Sequence, residues 1–350
     1  MTALPASLPP LDVSPGPSLA EPLPADRPVG WGILATGKIA NAFARNLSLL
    51  PDARIAAVGA RRLESAQAFA REYDGEAAYG GYELLVEDPN VDVVYVASPH
   101  GLHHEHVLLA LEAGKPVLCE KALTVNAAQA EELVAVAREQ RLFFMEAMWM
   151  RCNPLIRRLQ QLLADGGLGT VQQVRADLGW VVDAPATDRL LAPELGGGAL
   201  LDLGIYPLTF AHLFLGEPES VAATAALSEL GVDLNIALSL GYPTGAVASL
   251  SASMTAWSPR TASIATDRGR FDIPAAFHEP TTATWTSDGR TETVSEQVIG
   301  TGLANEALEV MRCLRSGEIE SPLVPHEDSL SLMRLMDRIR RDIGVRYPGE

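Results

Sequence analysis

Cysteine is scarce in this chain. Cys119, Cys152 and Cys313 are the three in 350 residues, with no CxxC pair. That excludes a disulfide framework and fits a reducing compartment, so a cytoplasmic location is expected. Positive charge is short as well. Lys and Arg number 27 against 44 Asp and Glu, a formal net charge of −17. Such a chain does not hold nucleic acid or an anionic membrane by general electrostatics, although a local basic pocket for a phosphate is compatible with it. No apolar run approaches the roughly 18 residues of a membrane-spanning helix. The first 27 residues contain no lysine, and Arg27 is their one arginine. They therefore lack both the basic start and the apolar middle of a signal peptide. Pro5, Pro9, Pro10, Pro15, Pro17, Pro22 and Pro24 mark residues 1–27 as a disordered tail, the alternative being an arm that wraps a partner subunit.

The length exceeds what one ordinary core supports and predicts two domains. The expected division is a dinucleotide-binding domain over 28–150 and a substrate-binding and oligomerisation domain over 151–350. The first begins with an apolar strand, Val29 to Leu34, that runs through Ala35-Thr36-Gly37-Lys38-Ile39-Ala40 into a helical pattern ending near Leu50. Strand, tight turn and helix are the context that a dinucleotide fingerprint requires. The pattern G-x-G-x-x-G/A falls on Ala35, Gly37 and Ala40. Gly37 would let the backbone approach a pyrophosphate, whose oxygens would meet the unpaired N–H groups of the helix. A plain glycine turn is the other reading, because Ala35 stands where a glycine is usual.

The strand from Arg54 to Gly59 bears on cofactor choice. An acid at its end would bind a ribose 2′-hydroxyl. Here the chain reads Gly59-Ala60-Arg61-Arg62, and two guanidiniums suit a 2′-phosphate, so NADP is expected ahead of NAD. The competing reading is two solvated arginines at a helix start. Further strands are predicted at Val91–Ala97, Val117–Glu120 and Leu142–Met145, with helices between them. This alternation implies a doubly wound parallel sheet with right-handed crossovers.

The strand Val117-Leu118-Cys119 ends on Glu120 and Lys121. At the C-terminal edge of such a sheet ligands lie in the crevice, so Lys121 is the candidate chemical centre. His100, His103, His104 and His106 crowd one stretch, but no ligand set of recognised spacing accompanies them, and no metal is expected. His100 and His103 line a cofactor crevice or cap the helix that follows. Trp149 is either a wall for substrate or packing at the domain junction, and Arg151 is a second candidate for that wall.

From Val171 the pattern becomes strand-like, near 171–182, 219–227, 232–241, 245–255, 261–266 and 283–295, with turns such as Ser287-Asp288-Gly289-Arg290. A large, mostly antiparallel open sheet is predicted, one face of which would be covered by helices or by another copy, as in a homodimer or homotetramer. One helix interrupts it. Gly196-Gly197-Gly198 precedes Ala199 to Pro207, in which Asp202 and Tyr206 stand four apart on one helical face. The triple glycine suggests close approach to a ligand. A capping acid and a core tyrosine are the plainer reading. Pro207 is expected to kink or delimit the helix.

Together these residues resemble the Gfo/Idh/MocA oxidoreductase family from about residue 29 to the C-terminus. The likeness rests on Ser98-Pro99-His100 with His103, Ala113-Gly114-Lys115, Glu120-Lys121, and Gly196-Gly197-Gly198 with Asp202 and Tyr206. Glu146-Ala147-Met148-Trp149 and Asp202-Leu203-Gly204-Ile205-Tyr206-Pro207 are most similar to the dihydrodiol and D-xylose dehydrogenase branch. The resemblance implies a Rossmann domain, a C-terminal α/β domain with a large open sheet, and hydride transfer between a nicotinamide and a sugar or cyclic diol hydroxyl. It places the family's lysine at Lys121, its catalytic acid–base position at Tyr206 and its helix aspartate at Asp202. Ser98, Pro99, His100, His103 and Glu120 would then lie along the cofactor with the fingerprint residues. The family's Glu-Lys-Pro is here Glu120-Lys121-Ala122, which leaves a cis bond at that point disfavoured.

On this basis Tyr206 would take the hydroxyl proton during oxidation, beside a Lys121 whose pKa is lowered by partial burial and the cationic ring. Asp202 would orient the pair or bind a second hydroxyl. Two other readings compete: an NADP-binding regulator without turnover, and an enzyme that retains its cofactor for a net non-redox glycoside cleavage.

Overall fold

A computed structural model describes residues 3–5, 7, 10–13, 15, 16 and 20–350. The chain forms two compact units that differ from a single cut near residue 150. One comprises Val13–Cys152 with Ile299–Met333, and the other Met1–Asp12, Asn153–Val298 and Arg334–Glu350.

In the first unit six parallel strands lie in the order β3-β2-β1-β4-β5-β6. They are β1 (Val29–Leu34), β2 (Ala53–Ala60), β3 (Ala77–Gly80), β4 (Val93–Val96), β5 (Val117–Glu120) and β6 (Phe144–Ala147). The helices between them are α1 (Lys38–Leu47), α2 (Leu63–Glu72), α3 (Glu83–Glu87), α4 (His103–Glu112) and α5 (Ala127–Gln140). This is the doubly wound arrangement read from the sequence, in which strand order reverses between β1 and β4. Tyr79 to Leu85 holds the end of β3 and the start of α3, neither of which was predicted. Four- and five-residue elements carry too little period to be seen. Trp31, Phe43 and Tyr95 are all fully buried and form one aromatic cluster, Phe43 meeting Trp31 edge-on at 5.2 Å and stacking on Tyr95 at 3.9 Å between centroids.

The late segment belongs here because α8 (Leu303–Ser316) is tied to α1. Asn46 Oδ1 accepts from the Thr301 N–H at 2.9 Å and its Nδ2 donates to Thr301 Oγ1 at 3.0 Å. The described tail residues are not loose either. Ala20 and Leu23 donate backbone N–H groups to Gly317 and Leu314 at 2.9 and 3.0 Å.

In the second unit α6 (Pro154–Ala164) and α7 (Ile205–Leu215) accompany an eight-stranded sheet. Its strands are β7 (Val171–Gly179), β8 (Ser220–Leu227), β9 (Asp233–Gly241), β10 (Val247–Ser253), β11 (Ala262–Thr266), β12 (Arg270–Ile273), β13 (Thr282–Ser287) and β14 (Arg290–Ser295). They lie in the order β14-β13-β12-β11-β7-β10-β9-β8. All pairs are antiparallel except β7 with β10. β12, only four residues long, was not anticipated. Asp288 and Gly289 both have positive φ, as a two-residue hairpin between β13 and β14 needs. On β9 and β10, Ile236, Leu238, Leu240, Ala248 and Leu250 are buried while Ala237, Ser239 and Ser249 alternate outward. That outer face carries a hollow of about 700 Å³ lined by Arg175, Asp177, Ser251, Ser263 and Asp272 among others. In this unit too the tail is attached: Arg157 donates to Asp12 O at 3.1 Å and Gln161 to Pro10 O at 3.0 Å. The closing helix α9 (His326–Ile343) has residues in both units.

Two expectations need correction. Pro193–Leu215 is long and apolar enough to cross a membrane by length and composition, at a mean hydropathy of 1.4, so apolar runs are not all short. Burial of 78% of its window inside the protein marks it as a core helix. Pro207 does not end the helix. Leu200–Gly204 forms a wider π-type turn that leads straight into α7, with Pro207 in its first turn. A proline there lacks only an N–H that the wider turn leaves unused.

Candidate active site

In the first unit the fingerprint turn has the shape its sequence implies. Ala35 takes a positive φ of 77° and donates its N–H to Gly59 O at 3.0 Å. Gly37 is extended and begins α1, with no side-chain cap and no acid in the first turn. A Cβ on Gly37 would meet nothing within 4 Å among the described residues. The glycine therefore serves space outside the protein rather than internal packing. Lys38 puts a cation at the positive end of the helix dipole, an unfavourable place unless an anion sits there. The turn fits a pyrophosphate on these grounds. Asn41 was missed from the sequence. Its Nδ2 donates to Gly37 O at 2.8 Å and Thr36 O at 3.2 Å, while Tyr73 donates to its Oδ1 at 2.9 Å. An amide one turn into the fingerprint helix was the available signal.

Arg61 and Arg62 follow directly on β2 and are exposed. Arg62 donates to Ser65 Oγ at 3.3 Å. No acid occupies the end of β2.

The histidine stretch is tied to a neighbouring loop. His103 is fully buried, and its ring nitrogens face Ser98 O at 2.7 Å and Ala122 O at 2.9 Å. Burial, and then the neighbouring His100, outweigh those carbonyls and lower its pKa to about 3. His100 Nε2 lies 3.1 Å from Lys121 O, His106 Nδ1 2.8 Å from Ser98 Oγ, and His104 Nε2 2.9 Å from Glu132. Among the described residues no group of three or more His, Cys, Asp or Glu is arranged to hold a metal. His100 and His103 thus pin the Ser98-Pro99 turn to the loop that carries Lys121. The Lys121–Ala122 bond is cis, although Ala122 replaces the family's proline. The same loop is held from Glu146, which accepts from the Leu123 N–H at 3.0 Å and from Ser329 Oγ at 2.6 Å. Glu120 is buried and accepts a hydrogen bond from the Tyr95 hydroxyl.

Trp149 is buried in a single turn, Trp149–Cys152, that follows β6. Arg151 is also buried, and its guanidinium is committed to Leu323 O at 2.8 Å and to the carboxylate of Asp328. That commitment makes Arg151 a tether for the start of α9 and removes it from the candidate substrate wall.

In the second unit Asp202 and Tyr206 are both 6% exposed. Arg189 forms an ion pair with Asp202 at 2.9 Å, so the charge in the apolar run has its partner. The Tyr206 ring lies 5.0 Å from that of His278. Neither Arg189 nor His278 was singled out beforehand, and nothing in their local sequence marks them. The triple glycine is explained from within. Gly196 has a φ of 73° at the end of the turn Pro193–Leu195. A Cβ on Gly197 would lie 2.9 Å from the Leu190 backbone, and one on Gly198 2.5 Å from Asp233 Oδ1. Asp233 Oδ2 accepts from the Leu200 N–H at 2.6 Å, and Tyr347 donates to Gly197 O at 2.7 Å. The glycines thus let the chain fold closely upon itself at the start of the helix that presents Asp202 and Tyr206.

A parallel Rossmann sheet with an anion-ready turn, a lysine at the end of β5, and an aspartate–tyrosine helix beside an open antiparallel sheet define a nicotinamide-dependent oxidoreductase. The chain belongs to the GFO/IDH/MocA family: residues 29–148 match its NAD-binding Rossmann-fold oxidoreductase domain and residues 156–272 its C-terminal domain. It is similar to trans-1,2-dihydrobenzene-1,2-diol dehydrogenase of Xenopus tropicalis, 40% identical over 91% of this chain and 99% of that protein. The Mus musculus enzyme of that name is 38% identical over 91% and 98%. Among solved structures, the 3-ketoreductase KijD10 of Actinomadura kijaniata, in complex with NADP and TDP-benzene, aligns with a TM-score of 0.81 at 29% identity over 91% and 98% of the two chains. The aldose-aldose oxidoreductase of Caulobacter crescentus, complexed with glycerol, aligns at 0.82 and 25% identity over 90% and 97%. This chain is an NAD(P)-dependent oxidoreductase acting on CH–OH groups, and the regulator and glycoside-cleavage readings are not favoured.

Proposed function

We propose that this enzyme oxidises one secondary hydroxyl of a trans-dihydrodiol or a related cyclic polyol with NADP, through Lys121, Tyr206 and Asp202. The observation that carries the substrate class is the match to the diol dehydrogenases, which runs over 91% of this chain and 99% of the relative. NADP is favoured by Arg61 and Arg62 at the end of β2, where a planar fork of donors suits a 2′-phosphate. It is also the cofactor named with KijD10. Ala35, Thr36, Gly37, Lys38 and Ile39 would cradle the pyrophosphate. Ser98, Pro99, His100, His103 and Glu120 shape the turns around it.

Bound nicotinamide supplies the hydride acceptor. The substrate C–H bond gives up a hydride and its O–H a proton, leaving a ketone. Tyr206, as phenolate, takes the proton and becomes a phenol, and Lys121, as ammonium, stabilises that phenolate before the transfer and holds the substrate oxygen. An unperturbed phenol titrates near 10, so a fixed cation is what brings a tyrosine within reach of neutral pH. Arg189 holds Asp202, which would receive the second hydroxyl of a diol. Trp149 is proposed as an apolar wall for the ring.

We further propose that the outer face of the eight-stranded sheet pairs two copies into a homodimer or tetramer, and that the protein works in the cytoplasm. All three cysteines are free and buried, as a reducing compartment permits.

The test is steady-state reduction of NADP, followed by nicotinamide absorbance, with trans-1,2-dihydrobenzene-1,2-diol and a panel of cyclic diols, pentoses and hexoses. Turnover should be highest with a diol. Absence of reduction with every diol would end the substrate assignment.

A further inference from the structure

The first unit holds a buried acid that the proposed chemistry leaves unused. Glu306, in the first turn of α8, is fully buried. Neither of its carboxylate oxygens has a hydrogen-bond partner among the described residues. The charge it faces is Glu120, itself buried at the end of β5 and bonded by the Tyr95 hydroxyl. Two carboxylates buried against each other cannot both ionise at low cost. An orphaned ionised carboxylate in a dry interior would be more costly still. Burial first, and then the charge of Glu120, raise the pKa of Glu306 well above the usual carboxylate range.

Other titratable groups lie around the pair. Tyr95 on β4 and Cys119 on β5 are both buried and pushed toward their neutral forms, first by burial and then by Glu120. Glu146 on β6 is raised by burial and eased by Ser329, Leu123, Arg151 and Lys121 in that order. Arg151 is itself committed to Asp328. The fixed cation adjoining Glu120 in sequence is Lys121.

We propose that Glu120 and Glu306 hold one proton between them, and that Glu306 is a positioning residue that limits the negative charge at the foot of Lys121 to one. The proposal deepens the role given to Lys121 above. At neutral pH the floor carries a single carboxylate charge. At alkaline pH the shared proton leaves, a second negative charge appears, and the ammonium form of Lys121 is retained to higher pH. Glu306→Gln keeps the shape and neutrality of the protonated acid and abolishes this second charge.

Infrared spectra of the full-length enzyme, without added substrate, read the proton itself. The wild type should show the carbonyl stretch of a protonated buried carboxylic acid at neutral pH and lose it on alkaline titration. Glu306→Gln should lack that band. The alkaline limb of kcat/KM should move to lower pH by about one unit in the variant, the size of effect of one nearby charge. No band in the wild type, or an undiminished band in Glu306→Gln, overturns the shared proton. A band that behaves as expected with an unmoved alkaline limb overturns the positioning role, and does so whether or not Lys121 acts as proposed. Should Glu306→Gln fail to fold, Glu120→Gln serves instead: the wild-type band should then no longer titrate away at the same pH, and an unchanged titration overturns the pair.

Discussion

Placing a methyl group on Gly198 perturbs the helix that presents Asp202 and Tyr206 without touching either residue. Gly198 has a φ of 125°, a conformation essentially reserved for glycine, and a side chain there costs about 1–3 kcal/mol. The added Cβ would also lie 2.5 Å from Asp233 Oδ1. That carboxylate is buried, and its other oxygen accepts from the Leu200 N–H at 2.6 Å. Displacing it loosens a charged hydrogen bond worth roughly 1.5–3 kcal/mol. Gly198→Ala should therefore destabilise by about 3–5 kcal/mol and lower kcat in the fraction that stays folded. The control is Gly216→Ala at the end of α7. Its φ is also positive, at 75°, but a Cβ there would meet nothing within 4 Å among the described residues. With a ψ of −148° it too lies where glycine is strongly preferred, so strain alone should cost it about 1–3 kcal/mol. Urea unfolding of the two variants decides the matter. Equal losses would mean that the contact with Asp233 carries no energy, and the account of the triple glycine would be wrong.

Two further outcomes follow from the geometry. Burial raises the pKa of Asp233 to about 6, against the pull of the Leu200 N–H. The folded state then keeps a proton that the unfolded chain has lost, so stability falls as pH rises from about 4 to 6, by roughly 3 kcal/mol. Asp233→Asn should lack this step when its thermal midpoints are compared with wild type across that window, and parallel curves would reject the raised carboxyl. Arg61→Ala with Arg62→Ala should weaken NADP binding about tenfold or more and leave NAD nearly unchanged. Equal weakening of both cofactors in a direct titration would mean that the two arginines do not read a 2′-phosphate.

The sequence made the Rossmann half legible because its parallel strands are buried on both faces and read as unbroken apolar runs, each followed by a turn residue with a definite role. Short β3, α3 and β12 were invisible, since four or five residues show no period. The assignment of 299–333 to the first unit could not be read locally, because it depends on Asn46 meeting Thr301 across more than two hundred residues. At the site, the ends of the strands located Lys121, Arg61 and Arg62. The binding partners were a different matter. Arg189 for Asp202 and His278 for Tyr206 lie outside any motif, and so does Glu306, the acid that Glu120 opposes. Gly196 to Gly198 looked like a ligand approach, yet their missing side chains make room for Leu190 and Asp233. Arg151 looked like a substrate contact, yet its charge is consumed by Asp328.

The central claim is that the phenolate of Tyr206 takes the substrate's proton. Tyr206→Phe removes one oxygen from a side chain packed against His278 and should leave the fold and NADP binding intact. Turnover of the best diol substrate, measured beside an NADP titration of the same preparation, should fall by about 100-fold or more, the size of a lost acid–base group. Turnover within a few-fold of wild type, with NADP still bound, would show that some other group accepts the proton and that the proposed mechanism is wrong.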